Sequence, residues 1–287
     1  ENGDLIEKPY KTRFTHPECV EYLLARYNEA WNIASQYDVG VFLTITLPPI
    51  FDLKDAQYIL SYMRHRLKAW LRRRYGFTPP SIRIPEPQES LNIHDHCVFF
   101  GIDRIMDKRD LTEWLDDKVE RFLRDMGRHI QKTINNRLTS EEVKELNKYG
   151  RRLLKRYRRY KRRHRGYRGP VNWITKIYKE ENKWVFANPP PDLEGNRKAG
   201  TLYDGANEAV SDYLKKYLVK NLRLLKTGFP DDDVKECVKL AWYWLLRIPF
   251  YTVSPSLRVP RKKSPPAGLK FIGSYHASWR ELLLLSL

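Results

Sequence analysis

The sequence predicts an α+β fold, and three observations carry that prediction. Short runs with period-2 alternation fall at 39–47, 81–86, 92–100, 171–178 and 184–188, as expected of strands whose two faces meet different surroundings. Between and after them run long stretches with apolar residues at every third and fourth position, as expected of helices packed by one face. An apolar share of 41% over 287 residues supplies a real core, which excludes a disordered chain.

Taken in order, Thr15 and Glu18 have capping-box spacing. Val20, Leu23, Leu24, Tyr27, Trp31 and Ala34 then recur as one helical stripe over about 16–37. Val39, Val41, Leu43, Ile45 and Leu47 alternate with Phe42, Thr44 and Thr46 until Pro48-Pro49 ends the strand. Threonines are ordinary β-branched strand residues; here they also stand beside a strand with metal-ligand chemistry. A second helix, about 53–75, buries Ile59, Leu60, Met63, Leu67, Trp70 and Leu71. It shows Arg64, Arg66, Lys68, Arg72, Arg73 and Arg74, either as a solvated face or as a phosphate-facing one.

The strand beginning near Asn92 sends His94 and His96 out of one face, one pleat apart. A turn over 88–91 folds Glu86, at the end of the preceding run, beside them. Two nitrogens and one oxygen then cap one side of a cation and leave the other side open. The alternative is one histidine hydrogen-bonded in the core and one on the surface. Asp95 is the odd member of the strand, and either a salt bridge or a ligand role through a bulge would account for it.

From Asp107 the pattern turns helical. Leu111, Trp114, Leu115, Val119, Phe122, Met126 and Ile130 form one stripe, and Thr139 with Glu142 caps a second helix, so a two-helix antiparallel unit is expected. That second helix runs into Arg151–Arg168, which holds eleven Arg and Lys and no acid, with Tyr157, Tyr160 and Tyr167 interleaved. Such a run contacts phosphates and stacks bases, or is simply a solvated arm. A hairpin over 171–188 and a loop at 195–200 follow. Next comes a helix in which Tyr213, Lys216, Tyr217 and Lys220 share a stripe beside Val210, Leu214 and Leu218. By itself that stripe is an ordinary Tyr/Lys surface. With an ammonium nearby to favour the phenolate, it suits attack on phosphorus. Asp231–Asp233 open a last long helix, and 250–254 and 269–274 read as short strands.

A formal charge of +18 calls for an acidic partner, nucleic acid before anionic lipid. No stretch approaches the roughly 20 apolar residues of a membrane span. Cys19, Cys97 and Cys237 are too scattered for a disulfide framework or zinc knuckle, and predict a cytoplasmic protein. A start at Glu1 without Met predicts an excerpt of a longer chain.

Three stretches in order, Phe42-Leu-Thr-Ile-Thr46, Glu86 with His94-Asp-His96, and Tyr213-Leu-Lys-Lys-Tyr217-Leu-Val-Lys220, together resemble the motifs of the HUH endonucleases. Within these the likeness is to the rolling-circle replication initiators (Rep proteins) of plasmids and viruses. It covers roughly residues 39–222, and the segment 251–256 looks like the one that follows the tyrosine helix in archaeal plasmid members. The resemblance implies a single domain with a central antiparallel sheet of about five strands flanked by helices. The basic helices at about 107–168 would be an insertion and 230–287 a C-terminal extension.

The resemblance further implies Mg²⁺ or Mn²⁺ held by Glu86, His94 and His96. It makes Tyr213 the nucleophile and Tyr217 the second tyrosine, with Lys216 and, more loosely, Lys220 stabilising charge. The partner is single-stranded or hairpin origin DNA with flanking duplex, together with host replication proteins, and no membrane. Thr44, Thr46, Arg72, Arg73, Arg74, Arg158, Arg159, Arg162 and Arg163 are the expected DNA contacts. Asp95 departs from the family, which has a hydrophobic residue there. Other readings stay open: an iron oxygenase using the same three ligands, a non-catalytic DNA-binding protein, and, within the enzyme class, a relaxase or transposase.

Overall fold

The computed structural model describes residues 17–87, 93–133, 135, 137–167, 169–188, 209–227, 243 and 249–260, with the side chains of 17–19 and 220–227 left aside. In chain order the elements are α1 (Pro17–Ala34), β1 (Val39–Thr46), α2 (Leu53–Tyr75), β2 (Ser81–Pro87), β3 (Ile93–Phe100), α3 (Lys108–Arg124), α4 (Met126–Thr133), α5 (Ser140–Arg163), β4 (Val171–Glu180), β5 (Lys183–Phe186), α6 (Val210–Thr227) and β6 (Thr252–Val253). The strands form one antiparallel sheet in the order β5-β4-β1-β3-β2-β6.

The α+β class is as expected, but the sheet has six strands rather than about five. The sixth is the two-residue β6, inside the 250–254 stretch expected as a short strand, which pairs with Ile82 and Arg83 at the β2 edge. The turn at 88–91, the loop at 195–200 and the strand at 269–274 lie outside the described residues. So does the helix from Asp231, apart from the buried Tyr243, whose hydroxyl donates to the Pro85 carbonyl.

Register decides what faces what. β1 pairs with β3 so that Thr44 opposes His96 and Thr46 opposes His94, and β2 pairs with β3 so that Glu86 opposes His94. Directly opposed residues share a face, so Thr44, Thr46, Glu86, His94 and His96 all leave the sheet on one side. Helices α1 and α6 cover that side. Trp31 of α1 meets Phe100 edge-on at 5.4 Å, Tyr213 of α6 meets Phe42 at 5.7 Å, and the Tyr27 hydroxyl donates to the Ser211 carbonyl at 2.8 Å, tying the two helices together. Helix α2 covers the opposite face. It starts where the Asp52 carboxylate accepts the Asp55 N–H at 2.7 Å, and ends where the Gly76 N–H donates to the Arg72 carbonyl.

The helical segment differs from its expected two-helix form. The stripe from Leu111 to Ile130 is one period in the sequence, but the helix breaks at Asp125 into α3 and α4. Around this break the helices meet α5 at backbone level. A side chain at Gly127 would begin 2.3 Å from the Val143 carbonyl oxygen, and one at Gly150 would begin 2.3 Å from that of Leu123. The Gly127 N–H, released at the break, donates to Asn147 Oδ1 at 2.9 Å. The start of α5 is as read: Thr139 accepts the Glu142 N–H while the Glu142 carboxylate accepts the Thr139 N–H.

Candidate metal and tyrosine site

Glu86, His94 and His96 come together at one end of the sheet, with a donor atom of each within 4.8 Å of the others. His96 Nε2 stands 3.3 Å from Glu86 Oε2, and both residues are buried. Donors bound to one ion at about 2.1 Å each stand roughly 3.0–3.5 Å apart. The Glu86–His96 pair is therefore already at ligand spacing, and His94 is within a side-chain adjustment of it.

Thr44 and Glu86 both reach His96. The Thr44 hydroxyl lies 3.1 Å from His96 Nδ1. With the proton on Nδ1 and donated to Thr44, the Nε2 lone pair faces the Glu86 carboxylate, and a cation between the two relieves that arrangement; with the proton on Nε2, that nitrogen donates to Glu86 and Nδ1 accepts from Thr44. The buried hydroxyl of Thr46, in register with His94, has no partner among the described residues, so a polar group is also left over at the same end. Burial and the nearby His96, partly offset by Glu86, lower the His94 pKa and favour its neutral, ligating form. The donor set fits a divalent cation with open coordination positions.

The two tyrosines lie against this cluster. Tyr217 stacks on the His96 ring at 4.4 Å with the planes 19° apart, and its hydroxyl donates to that of Tyr213 at 2.7 Å. Tyr213 is 2% exposed, held edge-on by Phe42, Phe186 at 5.4 Å and His96 at 6.5 Å. Tyr217 is half-buried, so the pair offers one tightly packed phenol and one more accessible. The Lys216 ammonium lies 5.9 Å from the centre of the Tyr213 ring. Lys220 belongs to the same helix, with its side chain outside the described residues.

Asp95 is salt-bridged and is no ligand. It is fully buried on the opposite face, where Arg64 of α2 donates at 2.9 Å and Arg83 of β2 also donates. Burial alone would raise its pKa, but the two guanidinium groups hold the carboxyl below the usual carboxylate range. β3 stays regular here, so His94 and His96 keep their direction. Helix α2 thus supplies the partner that a polar residue beneath the sheet requires.

The expected DNA contacts divide. Thr44 is buried against His96 and serves that ring; it cannot also reach DNA as placed. Arg72, Arg73 and Arg74 are exposed on the last turn of α2, the helix across the sheet from the ligand cluster. Arg158 is committed to Glu120 of α3 at 3.0 Å. Arg159, Arg162 and Arg163 are exposed and form no ion pair among the described residues. Nor is Tyr157 a base-stacking residue: it is fully buried, with its hydroxyl on Asp116.

Sequence reasoning missed three features. Thr44 as the partner of His96 was recoverable, because both strands alternate cleanly and face each other. The bulge in β4, where Thr44 opposes Trp173 but Ile45 opposes Val171, left no local signal, and Trp173 went unnoticed with it. Among the described residues no helix is long and apolar enough to cross a membrane. No family model, curated protein or solved structure matches the chain.

Proposed function

We propose that this chain cuts one strand of DNA by tyrosine attack on a phosphodiester and stays joined to the cut end. The observation that carries this is the stacking of Tyr217 on His96 with its hydroxyl on that of Tyr213, which sets two phenols against a two-histidine, one-carboxylate donor set. Tyr213 is the attacking group. Its oxygen forms a bond to phosphorus as the bond from phosphorus to the 3′-oxygen breaks. The departing oxygen takes up a proton to become a free 3′-hydroxyl, and the 5′-phosphate remains on the tyrosine.

Tyr217 donates a hydrogen bond to the attacking oxygen and so steadies charge there as the Tyr213 proton passes to solvent, which returns a proton to the departing 3′-oxygen. Thr44 holds His96 in one tautomer and one orientation. Glu86, His94 and His96 would hold Mg²⁺ or Mn²⁺, which would supply neutralisation of phosphate charge. Lys216 adds positive charge beside the tyrosine. Because the phosphotyrosine keeps the energy of the phosphodiester, an incoming 3′-hydroxyl reverses the step and rejoins ends, with Tyr217 available for a second transfer. Such a cycle fits the initiation and closure of rolling-circle replication at a plasmid or viral origin, with host enzymes extending the 3′-end. The exposed Arg159, Arg162 and Arg163 and the overall charge of +18 suit the flanking strand or duplex.

The test uses 5′- and 3′-labelled single-stranded origin oligonucleotides with Mn²⁺ or EDTA, comparing wild type with Tyr213→Phe, Tyr217→Phe and the double variant on denaturing gels. A metal-dependent protein adduct on the fragment downstream of the cut, absent from the double variant, is expected. Tight DNA binding without any adduct would instead assign a non-catalytic DNA-binding role.

A further inference from the structure

Trp173 belongs neither to the ligand cluster nor to the tyrosine pair, but β4 carries it onto their face. It opposes Thr44, which opposes His96, so the three residues form one row across β4, β1 and β3. Neighbouring strands lie about 4.8 Å apart, which places Trp173 roughly 10 Å from His96. The indole is half-buried, and its N–H has no acceptor among the described residues.

A cation is fixed beside it. Lys108 Nζ stands 5.6 Å from the centre of the indole and donates to the Asn172 carbonyl at 2.7 Å. Asn172 is the extra residue of the β4 bulge, and a bulge takes a residue out of the strand ladder and re-aims its neighbours. Here it supplies the carbonyl that anchors the lysine and the offset that turns Trp173 toward Thr44. An aromatic surface with a tethered ammonium matches one nucleotide of an unpaired strand, base and phosphate together.

We propose that Trp173 and Lys108 form a nucleotide subsite, where the indole stacks an unpaired base and the ammonium meets its phosphate, next along the strand from Glu86, His94 and His96. The subsite rests on the assignment of this face to single-stranded DNA. It would hold the strand across β4 and β1 while the neighbouring phosphate sits at the ligand cluster.

Binding of a short oligothymidylate is compared with binding of an abasic strand of the same length, which keeps the phosphates and lacks the bases. Wild type should prefer the base-bearing strand by roughly 5- to 150-fold for one stacked base. Trp173→Ala should lose most of that preference while holding the abasic strand as well as wild type does, and Trp173→Phe should keep most of it. Lys108→Ala should weaken both strands alike and lower the slope of log affinity against log salt by about 0.7. Thermal melts identify a variant that fails to fold, in which case the phenylalanine variant carries the comparison.

If Trp173→Ala weakens both strands equally, or changes neither, the subsite is overturned. The covalent-adduct gel, run in parallel, separates the two proposals. An adduct with no Trp173-dependent base preference removes the subsite and leaves strand cutting intact. A Trp173-dependent preference without an adduct keeps the subsite and removes strand cutting.

Discussion

His94, Asp95 and His96 are consecutive, yet they serve two opposite electrostatic environments. On one face Asp95 meets Arg64 and Arg83, and its charge is answered within the protein. On the other, the Glu86 carboxylate meets two imidazoles, burial and the neighbouring His96 lower the pKa of His94, and no Lys or Arg pairs with that carboxylate among the described residues. Strand alternation alone separates the two. A completed ionic cluster and an incomplete ligand set stand back to back across one layer of backbone, and the completed one holds the strand that carries the other.

The largest expected effect comes from breaking the completed side. Asp95→Ala leaves two mostly buried guanidinium groups without their counter-charge and should cost about 3–5 kcal/mol in urea unfolding. Replacing the set together, as Asp95→Val with Arg64→Met and Arg83→Val, should recover most of that loss, since an apolar cluster of similar volume serves as well. If the triple variant is as unstable as Asp95→Ala, the ionic cluster does more than neutralise itself.

The open side should respond to metal instead. Mn²⁺ at a hundred times its dissociation constant should stabilise wild type by about 2.7 kcal/mol, and EDTA should remove that gain. His96→Ala should show no such gain; if it shows the same one, the ion binds elsewhere. Thr44→Val should leave the fold intact and weaken metal binding about 10- to 100-fold, because His96 loses the partner that fixes its tautomer. Titration calorimetry reads this directly, and unchanged affinity would mean that Thr44 only packs.

The smallest effect lies in pH. The Asp95 carboxyl titrates below the unfolded value of about 3.9, so its stabilisation is complete above that pH and is lost as pH falls through the folded value. Asp95→Asn should therefore flatten the acid limb of stability below about pH 4 and leave the slope near neutrality alone. An acid limb as steep as that of wild type would place the acid sensitivity on another carboxylate.

Much of this was legible because it is local. Helix α2 occurs at the bounds its stripe and Gly76 indicate, the capping box opens α5, and alternation alone puts His94 with His96 and Thr44 with Phe42. What was not legible depends on partners distant in sequence. Nothing near Asp95 announces Arg64, thirty-one residues away, and nothing near Arg158 or Tyr157 announces the acids of α3 that claim them. The break at Asp125 is hidden in an unbroken apolar period, and the close seat of α5 beside it is a contact with another helix. The tyrosine stripe gave the helix face, while the stacking of Tyr217 on His96 is a tertiary fact.

The contacts at Gly127 and Gly150 also have a mechanical meaning. Helices seated backbone to backbone cannot slide past each other without collision, so α5 is locked to α3 and α4, and through α3 to β4 and the sheet. Arg159 and Arg163 are thereby held at a constant offset from His94 and His96. The molecule has the form of a caliper, with the span between the α5 arginines and the ligand cluster set by two missing side chains. Widening either glycine would change that gauge without touching either end.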